Sequence, residues 1–409
     1  MKKLLAMVLA LVMTLSLAVS ANAAFKDVKD IDETYAESAA VLNGLGVFKG
    51  YEEKDGTFSF QPKNAITRAE VAAIVYRIYT GDVKDAYVKN YETYNKFGDM
   101  AGAGWAKGYI GYCANAALVK GYPNGTFVPS GKVTGYEVLA MILRAVGYDQ
   151  KNEFTGADWA LHVAEIAERQ GILDNVKGVD LNAPATREVV AELLFQSIKV
   201  PMVTYTAAFG YQNVGLNEKA DNKLFAKNKT LGSKNFELDC VTGYVTANDY
   251  GTKFKNMQIK GENLAEKEKT VKVADQDIFD AGRYGHVWTS KGSVITDVFY
   301  DDALLSTSYA GTAIATLTTK KTGNSDYVAD LAKENMVVYN GNEKVDPTIV
   351  KGTEVAMYSI DGKTISSIIV VNPTVDYMEA DYVVKGDEVK IQGVKYDKDE
   401  VSGYEDLVK

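Results

Sequence analysis

Two arginines, Arg68 and Arg187, each follow a threonine that opens an apolar stretch, in Ile66-Thr67-Arg68-Ala69-Glu70 and Ala185-Thr186-Arg187-Glu188. The Thr-x-x-Glu spacing is that of a capping box: the hydroxyl accepts from the backbone N–H three residues on, and the carboxylate reaches back to the threonine N–H. Thr67 with Glu70 and Thr134 with Glu137 satisfy it, whereas Thr186 is followed by Val189 where the glutamate would stand. The cap accounts for the threonine and the glutamate but not for the arginine, because a cation at the first helical position opposes the helix dipole. A guanidinium fork beside the N–H groups of a helix N-terminus makes a place for an anion, above all a carboxylate. Two uses of Arg68 and Arg187 are therefore open: holding an anionic ligand, or pairing with a carboxylate such as Asp27 or Glu165 and stitching neighbouring segments together.

The elements that carry these residues recur. One pattern runs from Phe25-Lys26-Asp27 through Tyr35-Ala36 and Lys49-Gly50-Tyr51 to Phe58, Pro62 and the Thr67 motif. A second runs from Phe97-Gly98-Asp99 through Trp105-Ala106, Lys120-Gly121-Tyr122 and Gly125-Thr126-Phe127-Val128-Pro129 to Thr134-Gly135-Tyr136-Glu137; a third, more eroded, from Asp158-Trp159-Ala160 to the Thr186 motif. Val71, Ile74, Val75 and Ile78 keep helical spacing after Thr67, as do Val138, Met141, Ile142 and Ala145 after Thr134,. Each unit is thus helix, loop, helix, and tandem copies of such a unit bury their faces against one another. The repeats are expected at 25–80, 97–148 and 154–200, with a tyrosine- and charge-rich connector at 81–96 to which the sequence assigns no chemistry.

Past Pro201, short β-branched and aromatic runs alternate with Gly, Asn and Asp turns, so an all-β region is expected, divided into 203–303 and 304–409,. It shows its own duplication: Ile278, Gly282, Trp288, Gly292, Ile295 and Val298 correspond to Ile349, Gly352, Tyr358, Gly362, Ile365 and Ile368, and Val383 to Tyr396 resembles a hairpin.

At the N-terminus, Lys2 and Lys3 precede an apolar run from Leu4 to Val19 and the small residues of Ala21-Asn22-Ala23, the pattern of a secretory leader at 1–23 and not of a transmembrane anchor,. A net charge of −9 with no Lys/Arg-rich tract argues against a nucleic-acid partner,. Cys113 and Cys240 each sit in an apolar pattern and are expected as buried thiols. His162 and His286 are the only histidines, too few for a zinc cluster or a His-based triad, so no metal, cofactor or catalytic residue is expected,. Asp297, Asp301 and Asp302, near Asp275 and Asp277, suit solvated turns better than the paired carboxylates of a glycosidase.

Together these motifs resemble tandem bacterial S-layer homology (SLH) domains over Phe25 to Ile198, with Ile66 to Glu70 the most complete copy of the family's Ile-Thr-Arg-Ala-Glu. The resemblance implies a three-pronged pseudo-trimeric helical bundle. It also implies non-covalent attachment to a secondary cell-wall polysaccharide, commonly pyruvylated, in the wall or S-layer of a Gram-positive bacterium, with other surface-layer subunits as further partners. It places Arg68 and Arg187 on the ketal carboxylate and makes Asp27, Asp99, Trp105, Gly50, Tyr51, Gly121 and Tyr122 groove-lining candidates, with Thr67, Glu70, Thr134, Glu137 and Thr186 as caps. Tyr35 for Trp in the first repeat, Gly135 for Arg in the second, and the missing Gly-Tyr and Gly-x-Phe-x-Pro of the third depart from the pattern. The expected protein is a non-catalytic surface component. The alternatives are a tethered carbohydrate-active enzyme, or an adhesin that binds glycan through Trp288, Tyr300 and Tyr358 of residues 203–409; burial of these aromatics would favour a core role instead.

Overall fold

The structure, a computed structural model, describes residues 25–94, 96–215, 228–247, 257–261, 269–273, 282–306, 337–340, 343–344, 355–362, 366–370, 382–385, 388–391 and 394–397. The leader expected at 1–23 lies outside the described residues, as do Asp275, Asp277 and the Ile278, Ile349, Gly352 and Ile365 positions of the duplication.

Helices fill the N-terminal region and strands the C-terminal one. The first repeat supplies α1 (Glu33–Gly44) and α2 (Arg68–Thr80), the second α3 (Lys107–Asn115) and α4 (Gly135–Val146), the third α5 (Trp159–Arg169) and α6 (Arg187–Lys199). α2 and α4 open with complete capping boxes and end on glycines in the left-handed region, Gly81 and Gly147, a conformation that costs a residue without Cβ least,. Thr186 departs from expectation. It occupies the N-cap position of α6, but its buried hydroxyl makes no cap bond.

The second helices α2, α4 and α6 meet through a ring of loop contacts. Ala65 bridges to Thr186, Thr67 to Lys132 and Thr134 to Pro184. The first N–H groups of each helix donate into the loop of another repeat: Arg68 and Ala69 to the carbonyls of Gly131 and Pro129, Tyr136 to that of Leu181, and Arg187 and Glu188 to those of Asn64 and Pro62. These donors have no partner within their own helix, so each repeat completes the helix of another. The first helices obey the same rule, α3 packing on α2, α5 on α4 and α1 on α6. Val71, Val75 and Ile78 of α2, Val138 and Ile142 of α4, and Val190, Leu194 and Ile198 of α6 are fully buried in the resulting core. A single repeat would leave both its apolar face and its helix terminus unmet.

This compact unit continues past the third repeat through Gly243 and takes in His286–Phe299, so the boundary expected at residue 203 falls inside it. The cause is a shared core: Val203, Leu231, Phe236, Leu238 and Trp288 are buried together with the helices. A short helix, α7 (Leu231–Phe236), packs on α2 and α6, and Asn235 Nδ2 caps the end of α2 by donating to the carbonyls of Ile78 and Tyr79 at 2.8 and 2.9 Å. Cys113 and Cys240 are both buried thiols, and burial pushes the Cys113 thiol pKa up.

The second unit is strand-rich. One sheet runs in the order Ala303–Ser306, Val355–Ser359, Ser367–Val370, Val337–Asn340, Glu343–Lys344, antiparallel except where Val337–Asn340 meets Ser367–Val370. Tyr382–Lys385, Glu388–Ile391 and Val394–Asp397 form a three-stranded antiparallel meander where a hairpin was expected. The boundary expected at 303/304 also falls within this unit. There Arg283 stacks between Tyr300 and Tyr358, 3.9 and 4.3 Å from their ring centres, and pairs with buried Asp302 at 2.8 Å. Gly292 and Gly362, equivalent in the duplication, each turn a chain segment with positive φ, 77° and 70°.

Candidate functional site

Arg68 is 3% exposed. Its Nε donates to the Phe127 carbonyl at 2.8 Å and its terminal nitrogens to Glu137 Oε1 at 2.9 Å and the Lys120 carbonyl at 3.2 Å, between the rings of Tyr122 and Phe127. Arg187, 2% exposed, repeats the arrangement in the first repeat. It donates to the carbonyls of Phe60 and Lys49 and the hydroxyl of Tyr51 at 2.6, 3.1 and 3.1 Å, with Glu70 at 3.6 Å and the rings of Phe48, Tyr51 and Phe60 around it. The open carboxylate-binding forks expected at Arg68 and Arg187 are thus corrected: protein acceptors fill both, and the adjoining helix N–H groups go to backbone carbonyls. Their carboxylate partners are Glu137 and Glu70, not Asp27 or Glu165. Each capping glutamate has a double task, because Glu137 Oε2 accepts from Thr134 N while Oε1 accepts from Arg68 and from the Tyr122 hydroxyl.

At the third position of this ring stands Gly135. A Cβ there would lie 2.6 Å from Leu181 Cδ2 and 3.1 Å from Leu181 Cβ, so Leu181 fills the space that an arginine stem would need. Gly50 and Gly121 are also closed to a side chain. A Cβ on Gly50 would meet the Phe25 ring at 2.5 Å and the Ser59 carbonyl at 2.8 Å, and on Gly121 the Phe97 ring at 2.5 Å and the Thr126 carbonyl at 2.6 Å. Asp27 and Asp99, expected to line grooves, fasten loops instead: Asp27 accepts from the N–H groups of Phe60 and Gln61, both at 2.7 Å, and Asp99 from those of Phe127 and Val128 at 2.8 and 2.7 Å.

A groove of about 630 Å³ lies where the three repeats meet, lined by Lys49, Gly50, Tyr51, Thr67 and Glu70 of the first, Gly104, Trp105 and Lys132 of the second and Arg187 of the third, among others. Trp105, a groove-lining candidate, is 63% exposed and sits edge-on to Tyr109 at 5.7 Å. Gly104 aims it: with φ 54° and ψ −125° it breaks the 3-10 stretch Met100–Ala106 in a conformation that suits glycine,. The Tyr51 hydroxyl bonds to Glu70, and burial followed by that bond raises its pKa to about 12, so it stays a neutral donor. Lys132 Nζ gives one hydrogen to the Ala65 carbonyl at 2.7 Å and keeps two without a partner among the described residues,.

Of the residues singled out from sequence, the groove gathers Gly50, Tyr51, Thr67, Glu70, Trp105 and Arg187, and leaves Arg68, Asp27, Asp99, Gly121, Tyr122, Thr134, Glu137 and Thr186 elsewhere. Sequence reasoning missed Lys49, Arg77 and Lys132. A signal existed for Lys49, since lysine precedes Gly-Tyr in both repeats as Lys49 and Lys120. Both take part in matching triads: Lys49 and Arg77 flank Asp85 at 2.8 Å, and Lys120 and Arg144 flank Asp149 at 2.7 and 2.6 Å. Burial opposes ionisation of Asp85 and Asp149, but the paired cations outweigh it and hold both carboxyls below their ordinary range. In a chain of net charge −9 this groove carries four cationic side chains and one carboxylate. An aromatic face beside ammonium donors suits a saccharide ring that bears an anion.

The C-terminal aromatics are placed differently. Trp288 is buried, edge-on to Phe195 of α6 at 5.1 Å, with its indole N–H donated to Glu37. Tyr358 is buried against Arg283, and Asp302 answers that arginine rather than solvent. His162 Nδ1 meets the Glu153 carbonyl at 2.8 Å, a structural contact.

Comparison with known proteins agrees with the first two of the three expected repeats. The S-layer homology domain family matches residues 24–72 and 96–139. The chain is 26% identical over 307 residues to the middle cell wall protein of Brevibacillus brevis, 64% of this chain and 28% of that protein. It is 30% identical over 210 residues to a cell surface protein of Thermoanaerobacter kivui, 50% of this chain and 26% of that one. With the cellulosome-anchoring protein of Acetivibrio thermocellus it shares 32% over 177 residues, 42% of this chain and 36% of the relative. The chain thus spans about a quarter to a third of these relatives' length. It carries S-layer homology domains and is a secreted, cell-wall-associated protein.

Proposed function

We propose that this S-layer homology domain protein holds itself to the cell wall by seating an acidic unit of a secondary wall polysaccharide in the groove between Trp105, Tyr51, Lys49 and Lys132. The observation that carries the reading is the exposed indole of Trp105 beside these ammonium groups in an otherwise acidic chain. A pyruvyl ketal offers what the groove asks for, an apolar ring face and a carboxylate on one unit. Arg187 backs the groove and fixes Tyr51 rather than meeting the ligand with an open fork. The ring of helix caps is read as the three-pronged pseudo-trimer, whose repeats must all be present for the groove to exist.

The strand-rich region is read as a displayed, non-catalytic surface component, because Trp288 and Tyr358 serve cores and do not offer platforms. Sedimentation of the full chain with purified walls, before and after mild acid removal of pyruvyl groups, tests the reading. Binding should fall after the treatment and in Trp105→Ala and Lys132→Ala variants that remain folded. Undiminished binding to depyruvylated walls would reject the ligand, and undiminished binding of the variants would reject the groove.

A further inference from the structure

The connector to which the sequence assigned no chemistry builds a second cleft. It measures about 660 Å³, within the range of small-ligand sites, and lies within the first compact unit, with none of its lining shared with the Trp105 groove,. Gly108 and Gly111 of α3 let the connector lie directly on the helix, since a Cβ would come within 2.2 Å of the Val88 carbonyl and 2.3 Å of the Tyr91 carbonyl. Asp82 then fixes the approach by accepting from the N–H groups of Ala86 and Tyr87 at 3.0 and 3.1 Å and from the Tyr76 hydroxyl at 2.6 Å. The cleft is therefore built.

What it presents lacks partners among the described residues. Tyr87 is 66% exposed with its backbone tied down, a flat face held out at low entropic cost,. Tyr91 and Tyr112, set edge to face at 4.9 Å, hold their rings against the protein, yet neither hydroxyl bonds to it, although tyrosine hydroxyls in packed clusters usually find a partner,. Asn90, Lys84 and Lys291 are exposed, and neither lysine forms an ion pair. Lys291 is held at the cleft by a tight turn in which it takes φ 51° itself, followed by Gly292.

We propose that this cleft is a second saccharide site, for a sugar bearing a carboxylate or a phosphate. The sugar face lies on Tyr87, its hydroxyls meet Tyr91, Tyr112 and Asn90, and its anion meets Lys84 and Lys291. The proposal does not rest on the reading of the Trp105 groove. The lysines require the negative charge, and the aromatic wall with three uncommitted polar groups favours a sugar ring over an acidic peptide.

The test uses the full chain with ¹³C-labelled tyrosine, titrated with N-acetylmuramic acid, N-acetylglucosamine 1-phosphate, neutral N-acetylglucosamine and tetraglutamate while the ring signals of Tyr87, Tyr91 and Tyr112 are followed. Saturable shifts are expected with one or both charged sugars, which tells carboxylate from phosphate. They should persist in Trp105→Ala, and Lys84→Gln with Lys291→Asn should raise the apparent Kd about tenfold or more. Asparagine tolerates the turn at 291, and unchanged spectra elsewhere report folding. No saturable shift with either charged sugar, an equal response to the neutral sugar, an equal or stronger response to tetraglutamate, or an unchanged Kd in the double variant would each overturn the proposal.

Discussion

Replacing Arg68 with alanine should cost stability before it costs binding. An arginine facing a ligand could be truncated with little effect on folding, but this one is 3% exposed and donates to Phe127 O, Lys120 O and Glu137 Oε1. Alanine would leave two carbonyls without donors and a part-buried carboxylate without its cation. Removing one member of a buried pair costs about 3–5 kcal/mol. The lower end applies here, because Glu137 keeps its bonds from Thr134 N and the Tyr122 hydroxyl and its side chain is 16% exposed, so water can reach it. A loss of about 3 kcal/mol is expected. Arg68→Lys should recover little of it, since an ammonium cannot span three acceptors in one plane or stack between Tyr122 and Phe127.

Denaturant unfolding followed by far-UV circular dichroism measures the loss. A double-mutant cycle with Glu137→Gln separates the pair from the carbonyl contacts, and a coupling of at least about 1 kcal/mol is expected. If Arg68→Ala unfolds within about 0.5 kcal/mol of the parent, the scatter of ordinary surface changes, while wall binding disappears, the guanidinium meets a ligand and the buried clasp is refuted.

The remaining perturbations separate structural from binding positions. Trp105→Ala, at an exposed site, should leave the unfolding midpoint nearly unchanged and reduce sedimentation with walls severalfold. Gly121→Ala should destabilise by about 1–3 kcal/mol, because its Cβ must displace the Phe97 ring or the Thr126 carbonyl; the same unfolding experiment checks it,. Gly135→Arg, which makes the second repeat look complete in sequence, should lower the melting temperature and add no binding site in a calorimetric titration with a pyruvylated sugar, because Leu181 holds the space. Acid should unfold the bundle. Burial opposes ionisation of Glu37, Glu70, Asp85 and Asp149, but hydrogen bonds and cations outweigh it and depress all four, from ordinary values of 4.5 for the glutamates and 3.8 for the aspartates. Depressed carboxyls contribute stability that is whole above those values and lost as pH falls through the folded ones. A pH series of melting curves should therefore be flat from neutrality to about pH 5 and fall below it.

Much of the helical layout was legible because it rests on local rules. The 3.6-residue period of Val71 to Ile78 and Val138 to Ala145, and the two Thr-x-x-Glu boxes, lie within single segments, and the helices start where those boxes place them. The site was less legible because its rules are not local. Nothing near Arg68 in sequence indicates that its partner is the cap of the next repeat, or that Leu181 closes the position of Gly135. Thr186 keeps the same cross-repeat bonds, the N–H groups of Arg187 and Glu188 going to Asn64 and Pro62 of the first repeat as those of Arg68 and Ala69 go to Gly131 and Pro129 of the second, but Val189 offers no carboxylate to complete a box. Glu188 is free to bind Lys63 and the N–H of Asp32 instead.

The same non-locality explains why one motif serves two purposes. Threonine, arginine and glutamate in one stretch make a cap for their own helix and a clasp for another repeat, so the pattern cannot be divided into structural and binding residues by type. What distinguishes the positions is whether the ring leaves them room. Where an arginine enters the neighbouring repeat, as Arg187 does, it braces Tyr51 at the edge of a groove; where glycine stands, as at Gly135, an apolar residue closes the gap. Binding capacity then follows from which side chains remain uncommitted after the clasps have formed. In the central groove, among the described residues, these are the indole of Trp105 and the spare hydrogens of Lys132, neither of which belongs to the arginine motif.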